Sequence, residues 1–231
     1  MTSSVDSSKG VLILSPPRCG SSCLSACVSF QGFSHGRSPT TVLDTYNEKG
    51  YFENANVLKF NSRVLKAIGS NVHDSRRLVA AQYREMMFYA APLSALLTDE
   101  FGGETETDPF VIKDPRLVPL FPLYSEVLPE AKVICLNRDA DASARSMERM
   151  NETIRRRGVS FDSVWKIYAE QLDEIAESSQ VMRVRFEELL DKPQVVLSDL
   201  CDFLGVPFSD VGRTKAVRFI DKKLVRFGDG V

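Results

Sequence analysis

The sequence lacks two features that direct a protein to a polymer or a bilayer: an excess of one charge and a long apolar run. Its 231 residues carry 29 Lys and Arg against 31 Asp and Glu, a formal net charge of −2. Such a surface has no overall field for a nucleic-acid polymer or an anionic membrane, so an anion must be bound by a local cluster of cations. The first apolar run, residues 11–14, is too short for a secretion signal or a membrane span. We therefore expect a cytoplasmic protein with neither a nucleic-acid nor a membrane partner.

Side chains that bind metals are also few. The chain has two His and five Cys, and an odd number of cysteines in a chain of this length does not form a disulfide scaffold. Cys19, Cys23 and Cys27 recur at every fourth residue, and neither histidine lies at a zinc-finger spacing from them. Because thiols behave as small apolar side chains when buried, we expect these cysteines in the core and expect no metal site.

The composition that remains is that of an ordinary globular domain, with 43% apolar and 26% charged residues. A chain of 231 residues builds one substantial core more readily than two. The polar, Ser-rich residues 1–10 predict a flexible N-terminal tail, and residues 11–231 are predicted to form a single domain.

The apolar pattern alternates between short buried runs and amphipathic stretches, which predicts an α/β fold. A parallel central sheet with helices on both faces, a three-layer domain, follows from such alternation, and ligands bind beyond the carboxyl ends of its strands. Pro92 is expected to kink or break the third helix. The predicted strands are residues 11–14, 110–113, 132–136 and 181–184, and the predicted helices are residues 20–30, 53–68, 74–97, 117–128, 141–157, 161–177 and 193–204.

The loop after the first strand, residues 15–22, has the length of a phosphate-binding P-loop. Ser15 and Gly20 occupy the two glycine positions of G-x-x-x-x-G-K-[ST], and Ser21 stands where the lysine of an ATP-binding loop belongs. A cation lies inside the loop instead, at Arg18, where it can reach an anion lying across the loop. An ordinary strand-to-helix turn with a solvated arginine is the alternative interpretation.

A second candidate anion site follows the third predicted strand. Arg138 ends that strand, and Ser146 comes eight residues later on the next helix. Eight residues cover the turn and about two helical turns, which can bring the hydroxyl back to the anion that the arginine binds. The alternative is that both side chains simply face water.

These two motifs resemble those of the sulfotransferases that use 3′-phosphoadenosine 5′-phosphosulfate (PAPS). The loop P-R-C-G-S-S resembles the family's P-[KR]-[SC]-G-[ST]-[ST] loop for the 5′-phosphosulfate, and the Arg138 and Ser146 pair resembles its 3′-phosphate signature. The order of the matches along the chain is that of the family, and it implies the P-loop nucleotide-hydrolase-like sulfotransferase fold. The further matching segments are N-E-K-G-Y-F-E-N at 47–54, I-K-D-P-R at 112–116, V-R-F-E-E-L at 184–189 and F-L-G at 203–205.

The resemblance implies in-line transfer of a sulfuryl group from PAPS to a hydroxyl or amine of a soluble small molecule, a natural product or a saccharide, without a metal. It carries no indication of the oligomeric state. Phe186 matches an aromatic residue that packs near adenine in the family, and a core role is equally open. The residues implied to bind the donor are Arg18, Cys19, Gly20, Ser21, Ser22, Arg138, Ser146 and Phe186.

The resemblance also implies where cations act on the reaction. Arg18 is placed for the leaving phosphate, and Lys113, at the end of the second strand, for charge that develops on the transferring group. A lysine that extends its amine into water is the alternative for Lys113. The family's C-terminal R-K-G segment has only a degenerate match here, V-R-F-G at 225–228.

The general base has three candidates, because Pro115 stands where many enzymes of the family that the chain resembles have a histidine. Glu53 is the carboxylate that matches the base of members without that histidine, and it would need burial to raise its pKa. The alternative is that Glu53 is an acidic first-turn residue of a helix. Asp114, which can form an Asx turn, and His35 are the other candidates for the base.

Two other functions are compatible with the same residues. A P-loop kinase would use the strand at 110–113 and Asp114 to hold a metal, although the missing P-loop lysine argues against it. A catalytically silent nucleotide-binding module would bind the donor without turnover.

Overall fold

The computed structural model describes residues 5–40, 43, 47–102, 108–150, 160–177 and 181–220, without the side chains of 148–150. Within these ranges a four-stranded, fully parallel sheet has the order β2-β1-β3-β4. This sheet confirms the predicted α/β class. Its strands are β1 (Gly10–Leu14), β2 (Phe110–Lys113), β3 (Lys132–Asn137) and β4 (Val181–Arg185).

Helices cover both faces of the sheet. Because successive side chains of a strand point to opposite faces, those of β1 alternate between two hydrophobic cores. Leu12 and Leu14 face the core formed with α2 to α5 and α7, and Val11 and Ile13 face the core formed with α1 and α8 to α10. The helices of the described residues are α1 (Ser21–Ser29), α2 (Ala55–Ala67), α3 (Ala80–Met87), α4 (Ala90–Phe101), α5 (Leu117–Val127), α6 (Ala140–Met150), α7 (Phe161–Glu177), α8 (Phe186–Asp191), α9 (Pro193–Leu204) and α10 (Asp210–Phe219).

The strand order creates a crevice between β1 and β3. The chain leaves β1 for β2 on one side and then returns to β3 on the other side of β1. In parallel sheets, such a reversal separates the loops at the carboxyl ends of the two strands and forms the usual ligand site. The loop after β1, which begins at Ser15, and the loop after β3, which begins at Arg138, therefore meet at this crevice.

The expected break in the helix predicted over residues 74–97 is confirmed, and the helical part begins at Ala80. The structure has α3 and α4 with a break at Phe88 and Tyr89. Pro92 accounts for the break, because in a continuous helix it could not donate to the Phe88 carbonyl oxygen and its ring would clash with that oxygen. In the first turn of α4 its missing N–H costs no helical hydrogen bond.

The remaining differences are at element ends and in short elements. Of the predicted helix 141–157, the structure describes α6 to residue 150, and residues 151–157 lie outside the described ranges, as does the 225–228 segment. The short helix α8 and the helix α10, which Ser209 caps through its side chain, were not predicted. Of the predicted tail, residues 7–9 form a 3₁₀ turn capped by Asp6, and β1 begins at Gly10. Over the described ranges, no helix has both the length and the apolar character that a bilayer span requires.

Candidate active site

The loop after β1 turns into α1 through a glycine that no other residue can replace without cost. Gly20 is the N-cap of α1 and has a φ of 85°, in the left-handed region. A Cβ at this position would overlap the ring of Phe186. The first backbone N–H groups of α1 have no intrahelical acceptor, and Gly20 provides no side-chain cap for them. The loop therefore presents N–H donors at a helix N-terminus, where an anion is favoured.

Replacing Gly20 with Ala should destabilise the protein more than the same change at a second left-handed glycine. Gly69 has a φ of 70° and no atom near the place of a Cβ. At both positions the left-handed backbone should cost about 1–2 kcal/mol, and at Gly20 the Phe186 ring must also move. Urea unfolding of the two variants measures the difference. Equal losses would mean that Phe186 moves aside without cost.

The two predicted anion motifs come together at the crevice. Arg18 adopts a φ of 68°, which is unusual for a residue with a side chain, and its Nε donates to Ser146 Oγ at 3.2 Å. Arg138 donates from Nη1 to the Arg18 carbonyl oxygen, also at 3.2 Å. The strained loop conformation is thus held from both α6 and the end of β3. Two guanidinium groups and a hydroxyl share one small region.

Arg138 is a half-buried cation without a carboxylate partner in the described part of the chain. Burial lowers the pKa of its guanidinium, and the nearby Glu187 and Asp139 offset this only in part. The guanidinium carbon lies 5.1 Å from the centre of the Phe186 ring, which supports it from one side. A bound anion would supply the charge that this environment lacks.

Phe186 and Cys19 were both predicted to bind the donor, and both side chains are buried. The Phe186 ring fills the space next to Gly20 and lies under Arg138, so it shapes the loop and supports a cation. The Cys19 Sγ lies 3.6 Å from Ser143 Oγ, and burial raises the pKa of the thiol to about 11. Because its thiol is buried, Cys19 can contact an anion at the loop only through its backbone. An adenine contact of Phe186 stays a prediction.

A buried ion pair lies at the start of α1. Lys113 Nζ donates to Glu53 Oε1 at 2.5 Å and to Ser22 Oγ at 3.2 Å. The Lys113 side chain is 2% exposed, which rules out the alternative of an amine extended into water. Burial raises the pKa of Glu53, and the charge of Lys113 opposes that rise. The pair joins a candidate base to a serine in the first turn of α1.

The alternative interpretation, in which Glu53 is a first-turn residue of a helix, does not hold. The N-cap of α2 is Asn54, whose side chain accepts from two backbone N–H groups, and Glu53 precedes it. Phe52 has a φ of 53°, and its carbonyl oxygen accepts a hydrogen bond from Ser25 Oγ at 3.0 Å. Its ring lies 5.4 Å from that of Phe219 on α10. A strained residue held on both sides thus immediately precedes the buried carboxylate, as is typical of functional sites.

His35 is held as a neutral side chain. Its Nε2 lies 2.9 Å from Ser25 Oγ, and because that hydroxyl gives its proton to Phe52, His35 Nε2 is the donor. Burial, together with the charge of Lys113, lowers the pKa of His35 to about 4. In this tautomer Nδ1 is the basic nitrogen, and the lowered pKa makes it a weak base, so the arrangement favours a structural role.

Asp114 is fully occupied by structural hydrogen bonds. It accepts from Asn61 Nδ2 at 2.9 Å and from the Arg116 backbone N and Nη1 at 2.9 and 2.8 Å. Tyr124 in turn donates to Asn61 Oδ1 at 2.8 Å. The bond to the Arg116 N–H is the Asx turn that was the alternative to chemistry. This leaves Glu53 as the best placed of the three candidate bases.

Two contacts in the segment 47–54 were not anticipated from the sequence. Asn47 Nδ2 donates to Ser22 Oγ at 3.1 Å. Lys49 Nζ donates to the Phe219 carbonyl oxygen at 2.6 Å and lies 4.8 Å from the centre of that ring. Both residues stand in the motif N-E-K-G-Y-F-E-N, which was the only signal that could have identified them.

The carboxylate of Glu100, which no sequence signal marks, fixes the start of α2. It accepts hydrogen bonds from Asn54 Nδ2, Asn56 Nδ2 and both the N–H and Oγ of Ser38, at 2.7–2.9 Å. These donors lower the pKa of Glu100 although burial opposes them. The cluster holds the residue next to Glu53 in place. Its partners are 44 to 62 residues away, so local patterns cannot indicate it.

Over the described ranges, no group of three or more His, Cys, Asp or Glu side chains is arranged to hold a metal ion.

Comparison with known proteins gives one family and one fold. Residues 10–210 match the sequence profile of the Sulfotransferase family. The solved sulfotransferase domain from the curacin biosynthetic pathway is 18% identical with a TM-score of 0.57, over 94% of this chain and 80% of that one. The sulfotransferase domain of the Synechococcus PCC 7002 olefin synthase is 18% identical with a TM-score of 0.55, over 94% and 82%. Sulfotransferase STF9 from Mycobacterium avium is 11% identical with a TM-score of 0.55, over 92% and 67%. No curated protein matches the chain.

Proposed function

The chain belongs to the sulfotransferase family, and on this premise we propose that it moves a sulfuryl group from PAPS to a hydroxyl or amine of a small molecule. The observation that carries the proposal is the pairing of two sites across the loop after β1. On one side Arg18, Arg138 and Ser146 form an anion site without a carboxylate partner for Arg138 in the described ranges. On the other side a buried carboxylate, Glu53, stands next to that loop. Sulfuryl transfer needs cations at the leaving group and a base at the acceptor.

The residues present fit the donor. The bare Cα of Gly20, the free N–H groups of Ser21 and Ser22, and the side chain of Arg18 suit its 5′ end. Arg138 and Ser146 suit its 3′-phosphate, because a guanidinium and a hydroxyl meet there beside the same loop. When bound, the donor supplies the sulfuryl group, whose sulfur bonds to the acceptor as its bond to the phosphate oxygen breaks and the bisphosphate takes the electron pair.

The chain's own residues act at both ends of that transfer. Glu53 Oε1 accepts the proton of the acceptor hydroxyl or amine, and its burial makes the carboxylate a stronger base than a solvated glutamate. Lys113, in contact with both Glu53 and Ser22, keeps the base ionised and adds positive charge next to the phosphate-binding loop. Arg18 stabilises the charge of the leaving phosphate.

The acceptor is proposed to be a small molecule, either a natural product or a saccharide. The Glu53 side chain is only 10% exposed, so a group that gives it a proton must enter a narrow space. A single hydroxyl or amine on a small molecule can do so with little reorganisation of the site. We propose that the chain acts in the cytoplasm.

The kinase interpretation is less compatible with the site. A kinase would need an aspartate free to hold a metal, and Asp114 is enclosed by Asn61 and Arg116. Ser21 also stands where the P-loop lysine of an ATP-binding protein belongs.

Thermal unfolding with different nucleotides tests the proposal. At 100 times its dissociation constant, adenosine 3′,5′-bisphosphate should stabilise the chain by about 2.7 kcal/mol, whereas ATP with Mg²⁺ at the same concentration should not.

Arg138→Ala should lose about 10- to 100-fold in affinity for the bisphosphate, as expected for a charged hydrogen bond, and little for adenosine 5′-phosphosulfate, which has no 3′-phosphate. Arg183→Ala, at an exposed arginine on β4 paired with Asp173, is the matched control.

Each other outcome has a distinct meaning. Stabilisation by ATP with Mg²⁺ alone would favour the kinase. Equal losses for both nucleotides in Arg138→Ala would remove Arg138 from the 3′-phosphate site. Binding of the bisphosphate without any sulfated product in an acceptor screen read by mass spectrometry would indicate the catalytically silent module.

A further inference from the structure

The hydroxyl of Ser22 is surrounded by donors. Asn47 Nδ2 lies 3.1 Å from Ser22 Oγ, and Lys113 Nζ lies 3.2 Å from it. An ammonium and an amide NH₂ group can only donate, so both lone pairs of the hydroxyl oxygen are occupied. The serine proton therefore cannot point to either neighbour, and no residue in the described part of the chain accepts it.

The position of Ser22 indicates which kind of ligand its hydroxyl proton can bind. Ser22 is the second residue of α1, in the turn whose backbone N–H groups lack intrahelical acceptors. A hydroxyl with both lone pairs occupied has only its donor function left, and at a helix N-terminus the complementary ligand is an anion with acceptor oxygens. Phosphate and sulfate oxygens meet that description.

We propose that Asn47 is a positioning residue that makes Ser22 an obligate hydrogen-bond donor to the 5′-phosphosulfate end of the donor. The inference deepens the proposed function and rests on it. Lys113 alone does not fix the direction of the Ser22 proton, because the contact of Lys113 with Glu53, at 2.5 Å, is shorter than its contact with Ser22, at 3.2 Å. If Lys113 turns to the transferring group, Asn47 is the contact that keeps the Ser22 proton directed at the anion.

The segment that carries Asn47 is fixed in place. The Gly50 N–H donates to the Asn47 carbonyl oxygen at 3.2 Å, which closes a turn, and Lys49 is bound to the end of α10 through Phe219. An amide held by a closed turn loses little further freedom when it donates to Ser22. The N-E-K-G portion of the motif therefore has a physical role beside the base at its end.

A double-mutant cycle on ligand binding tests this role. Asn47→Leu keeps the shape of the side chain and removes its donor, and Ser22→Ala removes the hydroxyl. We expect each single change to weaken binding of adenosine 3′,5′-bisphosphate by about 5- to 20-fold, the effect of one hydrogen bond to a charged group. In the Ser22→Ala background, Asn47→Leu should have almost no further effect, because the two residues act as a unit.

A second ligand separates positioning from folding. Adenosine 3′-monophosphate lacks the 5′ group, so its affinity should be unchanged in all three variants, which also shows that they are folded. Asn47→Asp should bind the bisphosphate more weakly than Asn47→Leu at neutral pH, because a carboxylate accepts the Ser22 proton. Its affinity should recover as the pH falls and the aspartate is protonated.

The outcomes distinguish this inference from the function on which it rests. The role of Asn47 is overturned, and the proposed function is left standing, by either of two results. In the first, Asn47→Leu weakens bisphosphate binding as much in the Ser22→Ala background as in the wild type. In the second, the affinities for both ligands fall equally. A wild-type chain that does not bind adenosine 3′,5′-bisphosphate overturns both. Coupled losses confined to the bisphosphate support the role.

Discussion

Replacing Glu53 with Gln should lower the rate of sulfuryl transfer by about 10²- to 10⁴-fold, the range for loss of a general base, while donor affinity stays nearly unchanged. The amide keeps the size of the carboxylate and can still contact Lys113, but it cannot take a proton. Single-turnover measurement with saturating donor and acceptor reads the chemical step directly.

The pH dependence provides an independent readout of the same group. Burial raises the pKa of Glu53, and only the ionised form accepts a proton. The rate of the wild type should therefore fall as the pH is lowered through an apparent pKa above the usual range of a glutamate. Glu53→Gln should lack this limb of the profile.

Asp114→Asn is the matched control, because it also removes one buried carboxylate charge next to the site. Its cost should be mainly a lower free energy of unfolding, since Asp114 binds Asn61 and Arg116 rather than the reacting groups. If Glu53→Gln retains most of its single-turnover rate, the assignment is wrong, and Asp114 and His35 become the candidates again.

Replacing Lys113 with Met should affect both turnover and stability. The side chain keeps its length but loses the charge that stabilises the transferring group, which is expected to cost about 10²- to 10³-fold in rate. At neutral pH the change also leaves the Glu53 carboxylate buried without its cation, a loss of about 3–5 kcal/mol in the free energy of unfolding.

The stability loss of Lys113→Met should depend on pH with a defined sign. Without the cation the folded-state pKa of Glu53 rises further above its unfolded value, so the protein is most stable where Glu53 is protonated. Stability should therefore decrease as the pH rises through that raised pKa.

The double variant Lys113→Met with Glu53→Gln tests the coupling. It should unfold at higher urea concentration than Lys113→Met at neutral pH, because no buried charge remains, and it should stay inactive. A double variant no more stable than Lys113→Met would show that the two residues do not interact as the 2.5 Å contact requires.

The sequence determined those parts of the protein that depend on neighbouring residues. The apolar run of β1, the glycine at position 20 and the start of α1 are one local unit, because a strand, a tight turn and a helix follow from residues next to each other. Arg138 at the end of β3 was predictable for the same reason. A parallel sheet then brings the carboxyl ends of β1 and β3 to one edge, so the two anion motifs were expected to meet.

Only the tertiary structure decided which acidic or basic group can do chemistry. Glu53 and Lys113 are 60 residues apart, and no local pattern says that both lose contact with water in the same place. The candidates Glu53, Asp114 and His35 could not be ranked from the sequence, because a pKa depends on burial and on the charges that long-range packing brings near. The structure encloses Asp114 in hydrogen bonds, keeps His35 neutral and pairs Glu53 with the buried ammonium of Lys113.

The break between two helices and the contact of Asn47 with Ser22 illustrate the difference between local and long-range effects. The break between α3 and α4 is a local effect of Pro92, which lies four residues after Phe88. The contact of Asn47 with Ser22 joins the first turn of α1 to a segment 25 residues further along the chain. Local chemistry thus determined the strand, the glycine turn and the arginine that follows β3. Packing determined the ion pair of Lys113 with Glu53 and the donors around Ser22, because each depends on groups that only the folded chain brings together.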